Sequence, residues 1–284
     1  MAAVLRRRFR AVQITAIEKV KLPSLINNRL FARSSIRQNS NEGWINKHLI
    51  RKFEPAKESH SRMLSDKEVI YALHTHNIRP DSIDKYLVNY EENVNVINSK
   101  KSDLNLELIG SWTVQVGDLD QALHLWQYTG GYESIDRAQI ELSKDKAYQQ
   151  LIKESGNYLR SRKLQYLLSF SYWPPVIKRK DSNIYEIRSY RLKPGTMIEW
   201  GNNWAKAINF RRNNDEAFAG YFSQVGRLYN VHHIWCYKSL QARKETRESA
   251  WRSPGWDQCV SYTVPLIREM HSRILQPTSF SPTK

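Results

Sequence analysis

Apolar residues along this chain recur at two spacings, strand-like and helical, in an order that occurs twice. A strand pattern covers 69–78, and Pro80, Asp81 and Asp84 then mark a helix start, with an N-cap acid and a first-turn acid that suit the helix dipole. Ile83, Tyr86, Leu87, Tyr90, Val94 and Ile97 follow at helical spacing. Leu104–Val116 alternates as a second strand and stops at Gly117 and Asp118. A third strand through Leu123–Tyr128 breaks at Gly130 and Gly131, a second helix is predicted over about 134–155, and Leu164–Trp173 returns as a fourth strand. The order is β-α-β-β-α-β, a split βαβ unit.

The second half follows the same grammar. Ile184–Leu192 predicts a strand, and Thr196 with Glu199 reads as a capping box. Met197, Ile198, Trp200, Trp204, Ala205 and Ile208 supply the packing side of the helix that follows. Phe218–Val225 and Leu228–Tyr237 form a hairpin turning at Gly226 and Arg227, a polar helix starts near Leu240, and Arg273–Leu275 is a last strand.

The two halves also repeat in residues. Tyr71–Pro80 returns as Tyr185–Pro194, and Gly117, His124, Trp126 and Tyr128 return in the same spacing as Gly226, His233, Trp235 and Tyr237. Offsets of 114 and 109 residues match one small domain rather than a solenoid period. Each unit carries helices on one sheet face and leaves the other bare. Two such units packed bare face to bare face, as two half-barrels, solve that problem within one chain. The expected class is therefore α+β, with two tandem ferredoxin-like repeats packed sheet to sheet. The boundaries read as 66–176 and 183–284, joined by a short charged linker at 177–182.

Residues 1–33 read as a mitochondrial presequence and 34–65 as an irregular arm. Residues 1–31 hold Arg6, Arg7, Arg8, Arg10, Lys19, Lys21 and Arg29 against a lone Glu18, with apolar Val4, Leu5, Phe9, Val12 and Ile14 between them. A basic amphipathic segment of this kind suits import, the alternative being a basic tail held to anionic lipid. It accounts for six of the sixteen net positive charges, and the remaining excess is ordinary for an organellar protein. Asp81, Asp84, Glu91, Glu92, Asp118 and Asp120 mix signs in the first repeat, which disfavours nucleic acid as a partner. No stretch approaches transmembrane length; Tyr166–Ile177 is short and broken by Pro174 and Pro175. Cys236 and Cys259 are too few for a disulfide framework, and Cys236 reads as a small buried hydrophobe.

Candidate chemistry centres on histidines and aromatics. His74 and His76 leave the same strand face, with His124 on a neighbouring strand, but Arg188 and Tyr190 replace them in the second repeat. A hydrogen-bonded pair is favoured over a metal site, and no metal, cofactor or catalytic residue is assigned. His124, Trp126 and Tyr128, and likewise His233, Trp235 and Tyr237, each share one face. On the bare faces they would line an aromatic cavity between the repeats with Arg188 and Tyr190, fit for a small planar ligand; against the helices they would be packing residues. Packing is the favoured reading. Glycine-rich phosphate loops, HExxH and GxSxG are absent from the sequence.

The strings Ile184–Trp204 and Val231–Arg247, followed by Trp251 and Gly255–Asp257, resemble the central motifs of the NIPSNAP family, as do His60–Ser65 and Asp120–Tyr132. The resemblance covers about residues 60–284. It implies a mitochondrial protein of the dimeric α/β-barrel superfamily; the import signal expected over 1–33 would take it to the matrix and leave it at the outer surface on depolarisation. It also implies a non-enzymatic role marking damaged mitochondria by recruiting autophagy adaptors and ATG8-like proteins, with homo- or hetero-oligomers among NIPSNAP chains left open. Superfamily cousins that are cofactor-free monooxygenases or haem enzymes keep an enzyme reading as the alternative. Aromatic-x-x-aliphatic docking motifs are common by chance in a chain that is 11% aromatic, and Tyr132 to Ile135 is the candidate to test.

Overall fold

The computed structural model describes residues 59–211 and 215–284; the presequence expected over 1–33 and most of the arm expected over 34–65 lie outside them. Eight strands close into one barrel: β1 (Val69–Ile78), β2 (Leu106–Val116), β3 (Gln121–Thr129), β4 (Leu159–Ser169), β5 (Ile184–Leu192), β6 (Ala217–Val225), β7 (Asn230–Tyr237) and β8 (Ile267–Pro277). The order around it is β1-β3-β2-β8-β5-β7-β6-β4, antiparallel throughout. Each repeat contributes four adjacent strands, and the halves join at β2–β8 and β4–β6. Those joints share one register. Tyr166 faces Val225 and Leu167 faces Ser223; their counterparts Ile274 and Leu275 face Val116 and Val114. Closure leaves neither half with an open sheet edge. The architecture is that of a dimeric α/β barrel built within one chain.

Helices cover the outside. They are α1 (His60–Leu64), α2 (Ile83–Asn98), α3 (Lys101–Leu104), α4 (Gly131–Lys144), α5 (Lys146–Ser155), α6 (Met197–Ala207), α7 (Leu240–Trp251) and α8 (Trp256–Thr263). Because strands have period two, each strand feeds two cores. Tyr71, Leu73, Leu123, Leu125, Ile187 and Ile234 fill the barrel interior with Trp112 and Tyr221. Alternate residues turn outward: Tyr86 and Tyr90 of α2 meet Trp126 and Tyr128, and Trp200 and Trp204 of α6 meet Trp235 and Tyr237. This double burial is why β3 and β7 are buried at nearly every position.

The structure departs locally from the sequence reading. Pro80–Ser82 forms a 3-10 turn before α2, and Asp81 accepts from Ser82 Oγ instead of capping. Thr196 donates to Lys193 O at 2.7 Å, so no capping box forms. The helix expected over 134–155 is two helices, because Asp145 accepts from Tyr148 N at 2.9 Å and starts α5 there. β4 begins at Leu159 and ends at Ser169, after which Phe170–Trp173 folds over the second repeat. Cys236 is half-buried rather than buried. The end of the arm is ordered as α1, with buried Leu64 packed against Gly201 of α6.

Candidate functional site

The first repeat carries a buried polar chain between sheet and helices. His76 and His124 sit on the outward faces of β1 and β3, where strand pairing brings their rings to 5.3 Å. Tyr86 of α2 lies between them, its hydroxyl 2.6 Å from His76 Nδ1 and 2.7 Å from His124 Nε2. One imidazole therefore donates to Tyr86 and the other accepts from it. The chain continues from His124 Nδ1 to Ser111 Oγ at 2.9 Å and on to Thr278 Oγ1 at 3.0 Å. Tyr90 stacks on His124 at 3.7 Å and accepts from Trp126 Nε1 at 3.0 Å. Burial, reinforced by neighbouring imidazoles, pushes His124 well below the ordinary histidine range. Burial, then His74 and Arg162, lowers His76 to about 3; burial, then Arg162, lowers His74 to about 4. All three rings are neutral at pH 7.

Beside this chain is a cavity of about 320 Å³ lined by His74, His76, Tyr90, Trp126, Tyr128 and Arg162 among others. Its walls mix aliphatic and aromatic side chains, with two imidazoles, the Arg162 guanidinium and the Lys163 ammonium among the lining groups. That arrangement suits a small planar molecule with one polar edge. Among the described residues, no group of three His, Cys, Asp or Glu side chains is placed to hold a metal ion.

The second repeat fills the equivalent space. His233 is fully buried within ring contacts to Trp204 at 4.5 Å, Trp173 at 4.7 Å and Tyr190 at 5.4 Å. Tyr237 accepts from Arg211 Nη2 at 2.8 Å, and Arg211 lies 4.2 Å from the Trp235 ring centroid and pairs with buried Glu216 at 3.0 Å. Arg188 bonds Glu186 at 3.0 Å and Tyr190 at 2.8 Å; Arg243 and Ser272 complete the Glu186 shell. Those donors hold Glu186 at about 2 against the opposing effect of its burial. The acid that a buried arginine here requires is thus two residues back on its own strand.

The NIPSNAP family profile matches residues 71–174 and 185–282, one match for each half of the barrel. The chain belongs to the NIPSNAP family. It is 69% identical to Protein NipSnap of Drosophila melanogaster over 247 residues, covering 87% of this chain and 90% of the relative. It is 41% identical to Protein NipSnap homolog 2 of Homo sapiens over 283 residues, 99% of each chain. The crystal structure of an anthrone oxidase-like protein superposes with a TM-score of 0.53 at 14% identity, covering 78% of this chain and 96% of that one. The last is a likeness of fold alone.

The NIPSNAP repeats place the two sequence-derived triads on opposite outer layers, not facing one another. His124, Trp126 and Tyr128 face α2 and the first-repeat cavity, while His233, Trp235 and Tyr237 with Arg188 and Tyr190 lie under the second repeat's helices. Tyr132 and Ile135 fall in the first turn of α4; Tyr132 is exposed but Ile135 is in the core, so docking there by strand addition would require that turn to open. Sequence reasoning missed Tyr86, Ser111 and Thr278 as hydrogen-bonding partners, and Glu186 and Glu216 as buried counter-ions. Tyr86 was legible only as part of a helical packing stripe, because its hydroxyl partners lie on β1 and β3.

Proposed function

We propose that this NIPSNAP chain is a non-enzymatic mitochondrial interaction protein that recruits autophagy adaptors and ATG8-like proteins to damaged mitochondria. The observation that carries the reading is the family match to both repeats. The internal pairing of Arg211 with Glu216, and of Arg188 and Arg243 with Glu186, supports a rigid scaffold. The basic segment expected over 1–33 would couple location to membrane potential, which draws positive charge inward at about 2.3 kcal/mol per charge per 100 mV. A polarised mitochondrion would take the chain into the matrix; a depolarised one would leave it on the outer surface. A tagged copy should become protease-accessible in intact, uncoupled mitochondria. Continued protection under uncoupling would refute the mechanism.

A second reading rests on the first-repeat cavity: a small-molecule-binding, monooxygenase-like barrel. Its site would be the pocket beside His76, Trp126 and Tyr128 within one repeat, not a cavity shared between repeats. Purified protein should then retain or bind a planar aromatic compound in native mass spectrometry, and Tyr128→Ala should weaken binding at least ten-fold. A broad thermal-shift screen with no binder would eliminate this reading.

A further inference from the structure

One end of the barrel interior is polar, and its charge is unbalanced. Strand periodicity points Arg273, Ser189, His232 and Gln165 the same way as the interior residues Leu275, Ile187, Ile234 and Leu167, each two positions along its strand. They open into a cavity of about 480 Å³ at the barrel mouth, where strands of both repeats meet. Four cationic side chains line it, Lys163, Arg191, Arg227 and Arg273, against two carboxylates, Asp118 and Glu269. Glu269 is engaged by Arg191 at 2.7 Å and Arg227 at 3.0 Å.

Arg273 has no ion pair in contact among the described residues, Asp118 of the same cavity acting on it only at longer range. Its hydrogen bonds go to neutral acceptors, Gln121 Oε1 at 2.5 Å and Ser189 Oγ at 3.5 Å, and its buried Nε has none among the described residues. Ser189 also donates to His232 Nδ1 at 2.8 Å, because His232 Nε2 must donate to the Gln165 carbonyl at 2.9 Å. Burial, then Arg273, lowers His232 to about 3, so the ring is neutral at pH 7 and supplies no charge to either side. A half-buried guanidinium with no carboxylate in contact favours an anion beside it.

The duplication shows that this charge is not a requirement of the barrel. Strand register places Leu73 opposite Gln165 in the first repeat and Ile187 opposite Arg273 in the second, so Gln165 and Arg273 hold corresponding places. By the same register Leu123 corresponds to His232 and Thr75 to Ser189. A barrel wall that closes with leucine, glutamine and threonine on one side carries histidine, arginine and serine on the other.

We propose that the barrel mouth is a binding site for a small oxyanion, a phosphate or carboxylate group, held by Arg273 and Lys163. Guanidinium offers the planar fork that matches either group, and Lys163 adds a point charge at the rim. The proposal is independent of the interaction role and of the first-repeat pocket.

The test is calorimetric titration and thermal melting of the full chain with inorganic phosphate and with succinate, at ionic strength held constant with chloride. Vesicles containing phosphatidic acid form a third arm, because the same oxyanion is presented by a lipid headgroup. Saturable binding of one anion per chain is expected, with a rise in Tm. Arg273→Gln should weaken it at least ten-fold; glutamine already stands at the corresponding place of the first repeat, so the fold tolerates it. Lys163→Gln, at an exposed rim position, should weaken binding independently. Vesicle binding lost in Arg273→Gln without free-anion binding would assign the oxyanion to a lipid. No saturable binding in any arm, or equal binding by wild type and both variants, would overturn the proposal.

Discussion

Trp173 and Ser281 hold the same place in the two halves of the barrel. Each backbone N–H closes a turn, onto Phe170 O at 3.1 Å and Thr278 O at 3.1 Å. Phe170 and Thr278 in turn donate their N–H groups across to Gly220 O at 3.1 Å and Ser111 O at 3.0 Å in the opposite repeat. Gly220 and Ser111 are the strand partners of His233 and His124. Each repeat's last segment therefore seals the other repeat's histidine. Ser281 does so with a hydrogen bond from Ser111 N at 3.0 Å; Trp173 does so with its ring, which an added Cβ at Gly220 would approach to 2.1 Å.

The Trp173 seal is expected to dominate local stability. Trp173→Ala should lower unfolding free energy by about 3–5 kcal/mol and Gly220→Ala by about 1–3 kcal/mol in denaturant titrations. Combining them should cost less than the sum, since the alanine methyl then occupies space vacated by the indole. Full additivity would mean the two positions are not coupled through the ring.

The buried histidines give stability a pH dependence of defined sign. His76 and His232 are lowered to about 3 in the folded chain, chiefly by burial, against about 6.5 when unfolded. Between those values only the unfolded chain binds the protons, so stability is complete above about pH 7 and falls as pH drops through 6.5 towards 3. The slope approaches ~1.4 kcal/mol per pH unit for each such histidine. Glu186, lowered to about 2, adds a loss that begins only below its ordinary value. Melting temperature should therefore fall steadily from pH 7 to pH 5. A flat profile over that interval would mean these rings are not held neutral. Tyr86→Phe, which strips both imidazoles of their shared hydroxyl, should cost about 1–3 kcal/mol at pH 7.

The duplication, the strand–helix order and the common face of each histidine triad were legible because each rests on period and spacing. β5 runs over Ile184–Leu192, the span that alternation predicts. The direction of the triads was not legible: β3 and β7 are buried on both faces, so apolar patterning cannot say which face meets helices. Partners far apart in sequence were also invisible. Thr278 reaches Ser111, 167 residues away, only once β8 has closed the barrel against β2. Arg273 read as an ordinary residue in a last strand, since its surroundings come from strands of both repeats.

Arg211 and Glu216 are almost completely buried, with side chains 3% and 2% exposed. Removing one charge leaves the other unpaired beneath Trp235 and Trp256. Glu216→Gln or Arg211→Met alone should cost about 3–5 kcal/mol, whereas Arg211→Met with Glu216→Leu should come within about 1 kcal/mol of wild type or exceed it. Equal losses in single and double variants would show that Arg211 is held for its contacts to Trp235 and Tyr237 and not for its charge.

The crossed seals also make a prediction about the halves. A fragment of residues 66–176 retains Phe170 and Trp173 but loses the β6, Gly220 and His233 surface that they cover. It equally loses the Thr278–Ser281 segment that closes Ser111 and His124, and it exposes the outer edges of β2 and β4. A bare apolar sheet face with two open edges pairs with whatever strand is available. Residues 66–176 expressed alone should therefore be insoluble or self-pair, and co-expression with 183–284 should restore a compact one-to-one complex. Proteolysis within Lys178–Asn183 of the folded chain should leave the two pieces associated, because β2–β8, β4–β6 and both crossed segments survive the cut. A folded, monomeric half from either fragment would contradict the closed-barrel account of stability. It would also remove the barrel mouth as a site that needs both repeats.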